Sequence, residues 1–283
     1  MESIEQFFER QLAVWPDTRK RYDDLKNIKT RKVGELVLQF NPARMVSTGA
    51  KIDKATLEKR PCFLCSVNRP KEQIITDLGE AELLVNPFPI LPQHFTIPLK
   101  QHEPQNFASL AIYIDKVLDI APNMMVFYNG PHCGASAPDH AHLQAGTSGL
   151  LPLQSLWRKS VEWHTTKHGT EIGLVKEYAC PVFVTICTKP FQTEKLEWLT
   201  YDFNLISWIE NDEKITLIIP RGKHRPECYE QGVLVSPGAL DMGGLVITPR
   251  EDDFNNIDAC TATGILREVG ITMNEAEELI QHI

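Results

Sequence analysis

Apolar residues recur at a helical interval near the N-terminus, at Ile4, Phe7, Phe8, Leu12 and Trp15, and this spacing predicts a helix from Ser3 to about Leu25. VGELVLQF, Val33–Phe40, reads as a strand that stops at NPAR. ELLVNPFPIL, Glu82–Leu91, reads as a strand interrupted by prolines, and HFTIPL, His94–Leu99, as the next. NFASLAIYIDKVLDIA, Asn106–Ala121, has the period of an amphipathic helix. MMVFYNG, Met124–Gly130, is a strand running into a glycine loop, and the segment around DHAHLQAG is another. From Glu82 onward the predicted order is strand, strand, helix, strand, strand. The C-terminal stretch Ile265–Ile283 reads as helical.

The second half repeats part of the first. IPLKQHEP, Ile97–Pro104, matches IPRGKHRP, Ile219–Pro226, at Ile, Pro, His and Pro in register. Upstream, LLVNPF in the first half faces FNLISW, Phe203–Trp208, in the second. After a polar interval each half has an apolar strand, GGLVITP, Gly243–Pro249, in the second. The expected organisation is therefore a duplication with halves at 1–165 and 166–283, the polar run Lys159–Thr170 being the junction. Only the first copy carries a His-x-His-x-Gln segment.

That segment is the main chemical signal. His140, His142 and Gln144 alternate with Ala141, Leu143 and Ala145. On a strand the three polar side chains share one face and the small apolar ones the other, which suits a sheet with a cleft on one side and core on the other. A merely wetted polar face is the plainer alternative. Upstream, Asn129-Gly130 and Gly134-Ala135-Ser136 bracket a loop. Glycines let main-chain N–H groups approach a ligand closely, and Ser136 and Asn129 add side-chain donors, a set suited to phosphate.

Composition narrows the classes. At 283 residues, 42% hydrophobic and 23% charged, the chain reads as an ordinary globular protein. A formal net charge of -8 argues against a general nucleic-acid binder, which needs a basic face, but leaves room for a local phosphate site. No apolar run approaches the ~20 residues of a membrane span. The N-terminal stretch has acids where an export signal needs bases, so the expected setting is the cytoplasm, with its seven cysteines reduced.

Gly-Ala-Ser-x-x-x-His-x-His-x-Gln resembles the active-site signature of the galactose-1-phosphate uridylyltransferase branch of the histidine-triad superfamily, and within it the diadenosine tetraphosphate and GDP-hexose phosphorylases. The likeness extends through NPARMVS (Asn41–Ser47), RPCFLCSVNRP (Arg60–Pro70), VNPFPIL (Val85–Leu91), FNLISW, IIPR and SPGALDMGGL (Ser236–Leu245), about residues 33 to 250. It implies an α+β, HIT-like fold of two related half-domains, each an antiparallel sheet with flanking helices. It further implies nucleotidyl transfer through a covalent nucleotidyl-histidine. The donor would be a nucleotide-sugar or dinucleoside polyphosphate and the acceptor phosphate or a sugar phosphate. The second histidine of the motif, His142, would be the nucleophile; a neutral imidazole attacks phosphorus near pH 7, its other nitrogen held by an acceptor, expected to be a main-chain carbonyl. Gln144 would donate to a phosphate oxygen without adding charge, Ser136, Asn129 and Gly134 would bind phosphate, Asn86 the ribose, and Arg44 the phosphate tail, with Arg221 a weaker second cation.

Cys62 and Cys65 form a Cys-x-x-Cys pair. The resemblance implies zinc held by this pair, His102 and His140; the alternatives are a buried thiol pair with a core histidine, or a redox pair, which Asn68-Arg69-Pro70 disfavours by interrupting the helix such a motif opens. His94 is expected to be structural, His224 to lie on the surface, and Cys133 to be a small packing residue; His132, in the loop, is only a minor candidate for touching a leaving group. His164, His168 and His282 carry no signal. The uridylyltransferases imply a homodimer, though no interface pattern is legible. Two further readings stand beside the transferase: a hydrolase, disfavoured by Gln144 in place of a third histidine, and a zinc-stabilised nucleotide-binding protein without turnover.

Overall fold

The computed structural model describes residues 2–49, 54–165, 171–187, 196 and 198–282. Thirteen strands are described: β1 (Thr30–Val33), β2 (Leu36–Phe40), β3 (Thr76–Asp77), β4 (Glu82–Val85), β5 (His94–Pro98), β6 (Met124–Asn129), β7 (His142–Thr147), β8 (Val161–Thr165), β9 (Glu171–Val175), β10 (Val182–Cys187), β11 (Asp202–Glu210), β12 (Glu213–Arg221) and β13 (Leu245–Thr248). Ten form one sheet in the order β3-β4-β5-β7-β6-β11-β12-β10-β9-β8, and every pairing in it is antiparallel. The other three form a small sheet, β1-β2-β13, in which β13 runs parallel to β2. The architecture is the expected α+β one.

The central strands of the large sheet are buried on both faces, and the alternation of side chains along a strand sorts the core in two. From β6, Met124, Val126 and Tyr128 join a cluster with Phe7, Phe8, Phe95 and Ile114, while Met125 and Phe127 join another with Trp157, Ile206 and Leu217. The first face is covered by helices Ile4–Val14 and Ile112–Ile120, the second by helix Ala259–Val269 and the small sheet. His142 and Gln144 belong to the second face, since Leu143 and Ala145 join the first cluster. The two five-strand halves meet where β6 pairs with β11, placing Asn129 beside Asn204.

Several boundaries differ from expectation. The N-terminal helix is two, Ile4–Val14 and Pro16–Leu25, because Pro16 cannot donate into a continuing helix and instead opens a new one. Val33–Phe40 holds the turn and second strand of a hairpin that begins at Thr30, turned by Gly34 at φ 63°, a conformation glycine adopts without cost. The C-terminal stretch is likewise two helices, Ala259–Val269 and Met273–His282, parted at Gly270 by a bridge to Arg221. GGLVITP is a strand but leaves the large sheet to pair with β2, so the halves do not repeat strand for strand. The expected junction at 165/166 and His168 adjoin or fall in residues 166–170, outside the described residues. Among the described residues no helix is long and apolar enough to cross a membrane.

Candidate active site and metal centre

A cavity of about 840 Å³ opens over the second face of β4, β5, β6 and β7. Its lining includes His142, Gln144, Asn129, Gly134, Ser136, Asn86 and Arg44, so the seven residues expected to handle the nucleotide come together in one space. His140 does not share it. Strand β7 begins at His142, and His140 lies before it in a turn closed by its own N–H on the Ala137 carbonyl. The expectation that the two histidines share a strand face is corrected by that turn.

Hydrogen bonds fix the orientation of each polar group. His142 Nδ1 lies 2.8 Å from the carbonyl oxygen of His140. A carbonyl only accepts, so Nδ1 carries the proton and Nε2 keeps its lone pair. Burial pushes His142 down to about 4, so the ring is neutral near pH 7. The Ile90 N–H donates to His94 Nδ1 at 3.2 Å, which leaves the proton on Nε2, and Nε2 donates to Gln144 Oε1 at 2.8 Å. Gln144 therefore has its oxygen occupied and its NH₂ available. His94 is structural, as expected, and is fully buried; desolvation first and Arg44 second push it down to about 3. Asn129 is set in the same way: its Oδ1 accepts from Asn204 Nδ2 at 2.9 Å and from the Ala239 N–H at 2.7 Å. Gln105 holds β6 and β7 together beyond their ladder, donating to the Asn129 and His142 carbonyls and accepting from the His142 N–H.

The remaining expected residues sort clearly. Asn86 Nδ2 donates to Thr96 Oγ1 and its Oδ1 accepts from the Phe88 N–H. Arg44 donates to the Phe88 carbonyl, and desolvation pushes it down to about 10 against the opposing pull of Asp241. Burial pushes Asp241 up to about 6 although the Ile247 and Gly238 N–H groups bond it. Arg221 is not a cavity cation. It is buried and donates to the carbonyls of Val269, Pro237, Lys223 and His224 and to Asn204 Oδ1. His132 does not line the cavity; it is exposed and bonded to Asp202. His224 is no surface residue: it is half-buried in the cavity wall. Cys133 is a buried packing residue, its thiol pushed up to about 12 by burial.

Sequence reasoning missed Arg21, Arg60, Arg225 and Asp241 in this lining. Arg60 Nη2 clamps the Ser136 carbonyl at 3.1 Å and Asp139 at 3.0 Å. Its position two residues before Cys62 was the one available signal. Arg21 and Arg225 come from helix Pro16–Leu25 and the second half, and no local pattern marks them.

Beside the cavity, Cys62, Cys65, His102 and His140 converge, with ligand atoms within 4.8 Å of one another. The S···N separations are 3.3 Å for Cys62–His140, 3.2 Å for Cys65–His102 and 3.6 Å for Cys65–His140. Tetrahedral zinc with ordinary Zn–S and Zn–N bonds places such atoms about 3.5 Å apart. His140 Nε2 donates to the Leu99 carbonyl at 2.8 Å, which leaves Nδ1 deprotonated toward the sulfurs. This tautomer, fixed from the far side of the ring, is the one a metal needs. The four residues could hold a metal ion, and their donor set suits zinc.

A family model described as a domain of unknown function, DUF4922, matches residues 7–147, which include the cysteine pair and the His-x-His-x-Gln segment. No curated protein matches the sequence. Among solved structures, yeast Ap4A phosphorylase Apa2 is similar at 17% identity and a TM-score of 0.58, over 91% of this chain and 94% of that one. Its complex with AMP is similar at 16% identity and a TM-score of 0.58, over 92% and 96%. Its complex with Ap4A gives 15% identity and the same TM-score, over 92% and 98%. At such identities the likeness is one of fold, and it agrees with the α+β fold that the motif resemblance implied.

Proposed function

We propose that the protein is a nucleotidyltransferase, acting as a phosphorylase or hexose-1-phosphate nucleotidyltransferase through a nucleotidyl group carried on His142. The observation that carries this reading is the pairing of Nδ1 with the His140 carbonyl, which leaves Nε2 as the nucleophilic lone pair in a large cavity beside two amide donors. Nε2 attacks the α-phosphorus of a nucleotide-sugar or dinucleoside polyphosphate. The N–P bond forms as the bridging P–O bond breaks, and its electron pair leaves on the departing phosphate. An oxygen of orthophosphate or a sugar phosphate then attacks the same phosphorus and the N–P pair returns to Nε2. The positive charge the ring bears in between faces the His140 carbonyl. The NH₂ groups of Gln144 and Asn129 donate to the non-bridging oxygens, Ser136 and the Gly134 loop bind the phosphates, Asn86 orients the ribose, and Arg44 offsets charge on the phosphate tail. The fold likeness to an Ap4A phosphorylase supports this reading.

Zinc at Cys62, Cys65, His102 and His140 would hold His140, and with it the carbonyl that orients His142, as a structural ion. A cytoplasmic setting, which keeps the cysteines reduced, and a homodimeric assembly complete the proposal.

The test is incubation with nucleotide-sugars and dinucleoside polyphosphates labelled at the α-phosphate. The expected result is acid-labile label on the protein, absent in His142→Asn, and release of product that requires phosphate or a sugar phosphate. Turnover by water alone would replace this reading with a hydrolase. Binding with neither label nor turnover would replace it with a nucleotide-binding protein.

A further inference from the structure

The second half has no His-x-His-x-Gln segment and its arginine at the end of β12 does not reach the cavity, yet its side chains are bonded into the site. All of this lies on one sheet face. Arg221 on β12, Asn204 on β11 and Asn129 on β6 stand in adjacent strands, with Asn204 paired to Asn129 and Asp202 to Arg221 in the registers. Arg221 Nη1 donates to Asn204 Oδ1 at 2.6 Å; Asn204 Nδ2 donates to Asn129 Oδ1 at 2.9 Å and to the Cys133 carbonyl at 2.7 Å. Asn204 and Arg221 are buried, so water does not substitute for any partner.

The chemistry of the donors leaves one arrangement. A guanidinium only donates and stays charged, so the Asn204 atom facing it is oxygen. The Asn204 NH₂ is thereby directed at Asn129 and Cys133. The Asn129 atom that receives it, together with the Ala239 N–H, is oxygen. The Asn129 NH₂ then has the cavity to donate into. Gly238 fits the same purpose: a Cβ there would sit 3.0 Å from Asn129 Oδ1.

We infer that Asn204 and Arg221 are positioning residues for the transfer reaction: through a one-way hydrogen-bond relay from the second half, they hold the Asn129 side chain with its NH₂ turned to the substrate phosphate. This rests on the proposed function for its consequence, though the relay itself is a property of the folded chain. It also gives the duplicated half a task that needs no catalytic group of its own.

The discriminating variant is Asn204→Asp. It keeps the oxygen that faces Arg221 and replaces the donor that faces Asn129 and the Cys133 carbonyl by an acceptor, so Asn129 must rotate its NH₂ toward position 204. Without any ligand, the Ala239 N–H then loses its acceptor and its hydrogen exchange speeds up at least tenfold, and Asn204→Gln is compared as the control for disruption alone. Unchanged Ala239 exchange in Asn204→Asp overturns the relay. In single turnovers, Asn204→Asp slows nucleotidyl-enzyme formation about 10²-fold, the loss expected for one oriented donor. AMP affinity falls less than tenfold. In an Asn129→Ala background only the bond to the Cys133 carbonyl is left to lose, and the same substitution slows the reaction by less than about threefold; a full effect there overturns the assignment. If the wild-type protein forms no nucleotidyl-enzyme while Ala239 exchange responds as stated, the proposed function fails and the relay stands. Arg221→Lys, which retains charge but loses the fork, gives a milder version of both readouts, and equality with wild type in both overturns the role of Arg221.

Discussion

His94 Nε2 lies 2.8 Å from Gln144 Oε1, and the Ile90 N–H occupies the other ring nitrogen. A buried histidine on a neighbouring strand therefore decides which end of the glutamine amide meets the cavity. With its oxygen turned to His94, Gln144 presents its NH₂ to the cavity as a donor. Gln144→Ala is expected to slow nucleotidyl transfer by about 10²- to 10³-fold, the range for loss of one donor aimed at developing charge, with AMP binding changed far less. Rapid-quench single turnovers beside calorimetric binding make the comparison; equal losses in both would mean that Gln144 serves binding alone.

The same histidine gives a pH dependence whose sign is fixed. Burial pushes His94 down to about 3 from an ordinary value near 6.5. Between those limits the unfolded chain takes a proton that the folded chain refuses. The stabilisation is whole above about pH 6.5 and is lost as pH falls toward the folded value. Asp241, pushed up to about 6, works in the opposite sense: its contribution is whole below about pH 4 and is lost as pH rises through 6. A comparison with His94→Gln isolates the histidine, since Asp241 and the metal site are shared. The stability difference between the two proteins is expected to shrink by at most about 2–3 kcal/mol from pH 7 to pH 4.5, at 1.36 kcal/mol for each pH unit below 6.5. A constant difference in urea unfolding across that range would show that His94 takes no part.

Much of the site was legible before the fold was known because its chemistry is local in sequence. His142, Gln144, Ser136, Gly134 and Asn129 fall within sixteen residues, and the strand that carries His142 and Gln144 has the alternation a two-faced sheet needs. The cysteine pair was equally plain, and its histidines followed from the resemblance. What was not legible depends on long-range register. Nothing near Arg221 says that its bonds run to Asn204, Pro237 and Val269 rather than to phosphate, and nothing near Asn204 marks it as the neighbour of Asn129. The two split helices and the Gly34 hairpin were missed for another reason: an apolar period survives a proline or a glycine turn, so it reports burial better than continuity.

The four-residue cluster carries a direct expectation for metal. Protein prepared without chelator should contain one zinc per chain by mass spectrometry of the metal. Cys65→Ser should weaken zinc by at least about tenfold, since even the partners that merely orient zinc ligands are worth 10- to 100-fold. Removing the ion should lower Tm by several degrees, because among the described residues the knuckle at Cys62–Cys65 has only Leu64 and Ala137 as its buried apolar company. His140 keeps its bond to the Leu99 carbonyl in either case, so the fold should survive. Metal-free protein with unchanged Tm would favour a plain buried thiol pair.

The glycine loop offers a test that separates backbone strain from packing. Gly134 has φ 104°, and a Cβ there would lie 2.6 Å from Gly238 Cα and 3.0 Å from the Pro237 carbonyl oxygen. Those neighbours are main chain of the second half and cannot swing aside. Gly149 has φ 81°, with nothing within 4 Å of its Cβ position. Alanine at Gly149 therefore meets only the conformational penalty, about 1–2 kcal/mol. Alanine at Gly134 meets that penalty and a main-chain clash as well, and should cost at least about 1 kcal/mol more in urea unfolding, overpacking of a fixed site being worth 1–3 kcal/mol. The two should part further in activity. Gly134→Ala moves the loop that carries Ser136 off its seat against Gly238 and should suppress nucleotidyl transfer, while Gly149→Ala, beyond the end of β7, should leave it near the wild-type rate. Equal stability losses in the two variants would mean that the loop's seat on the second half gives way readily, and that its glycine serves φ alone.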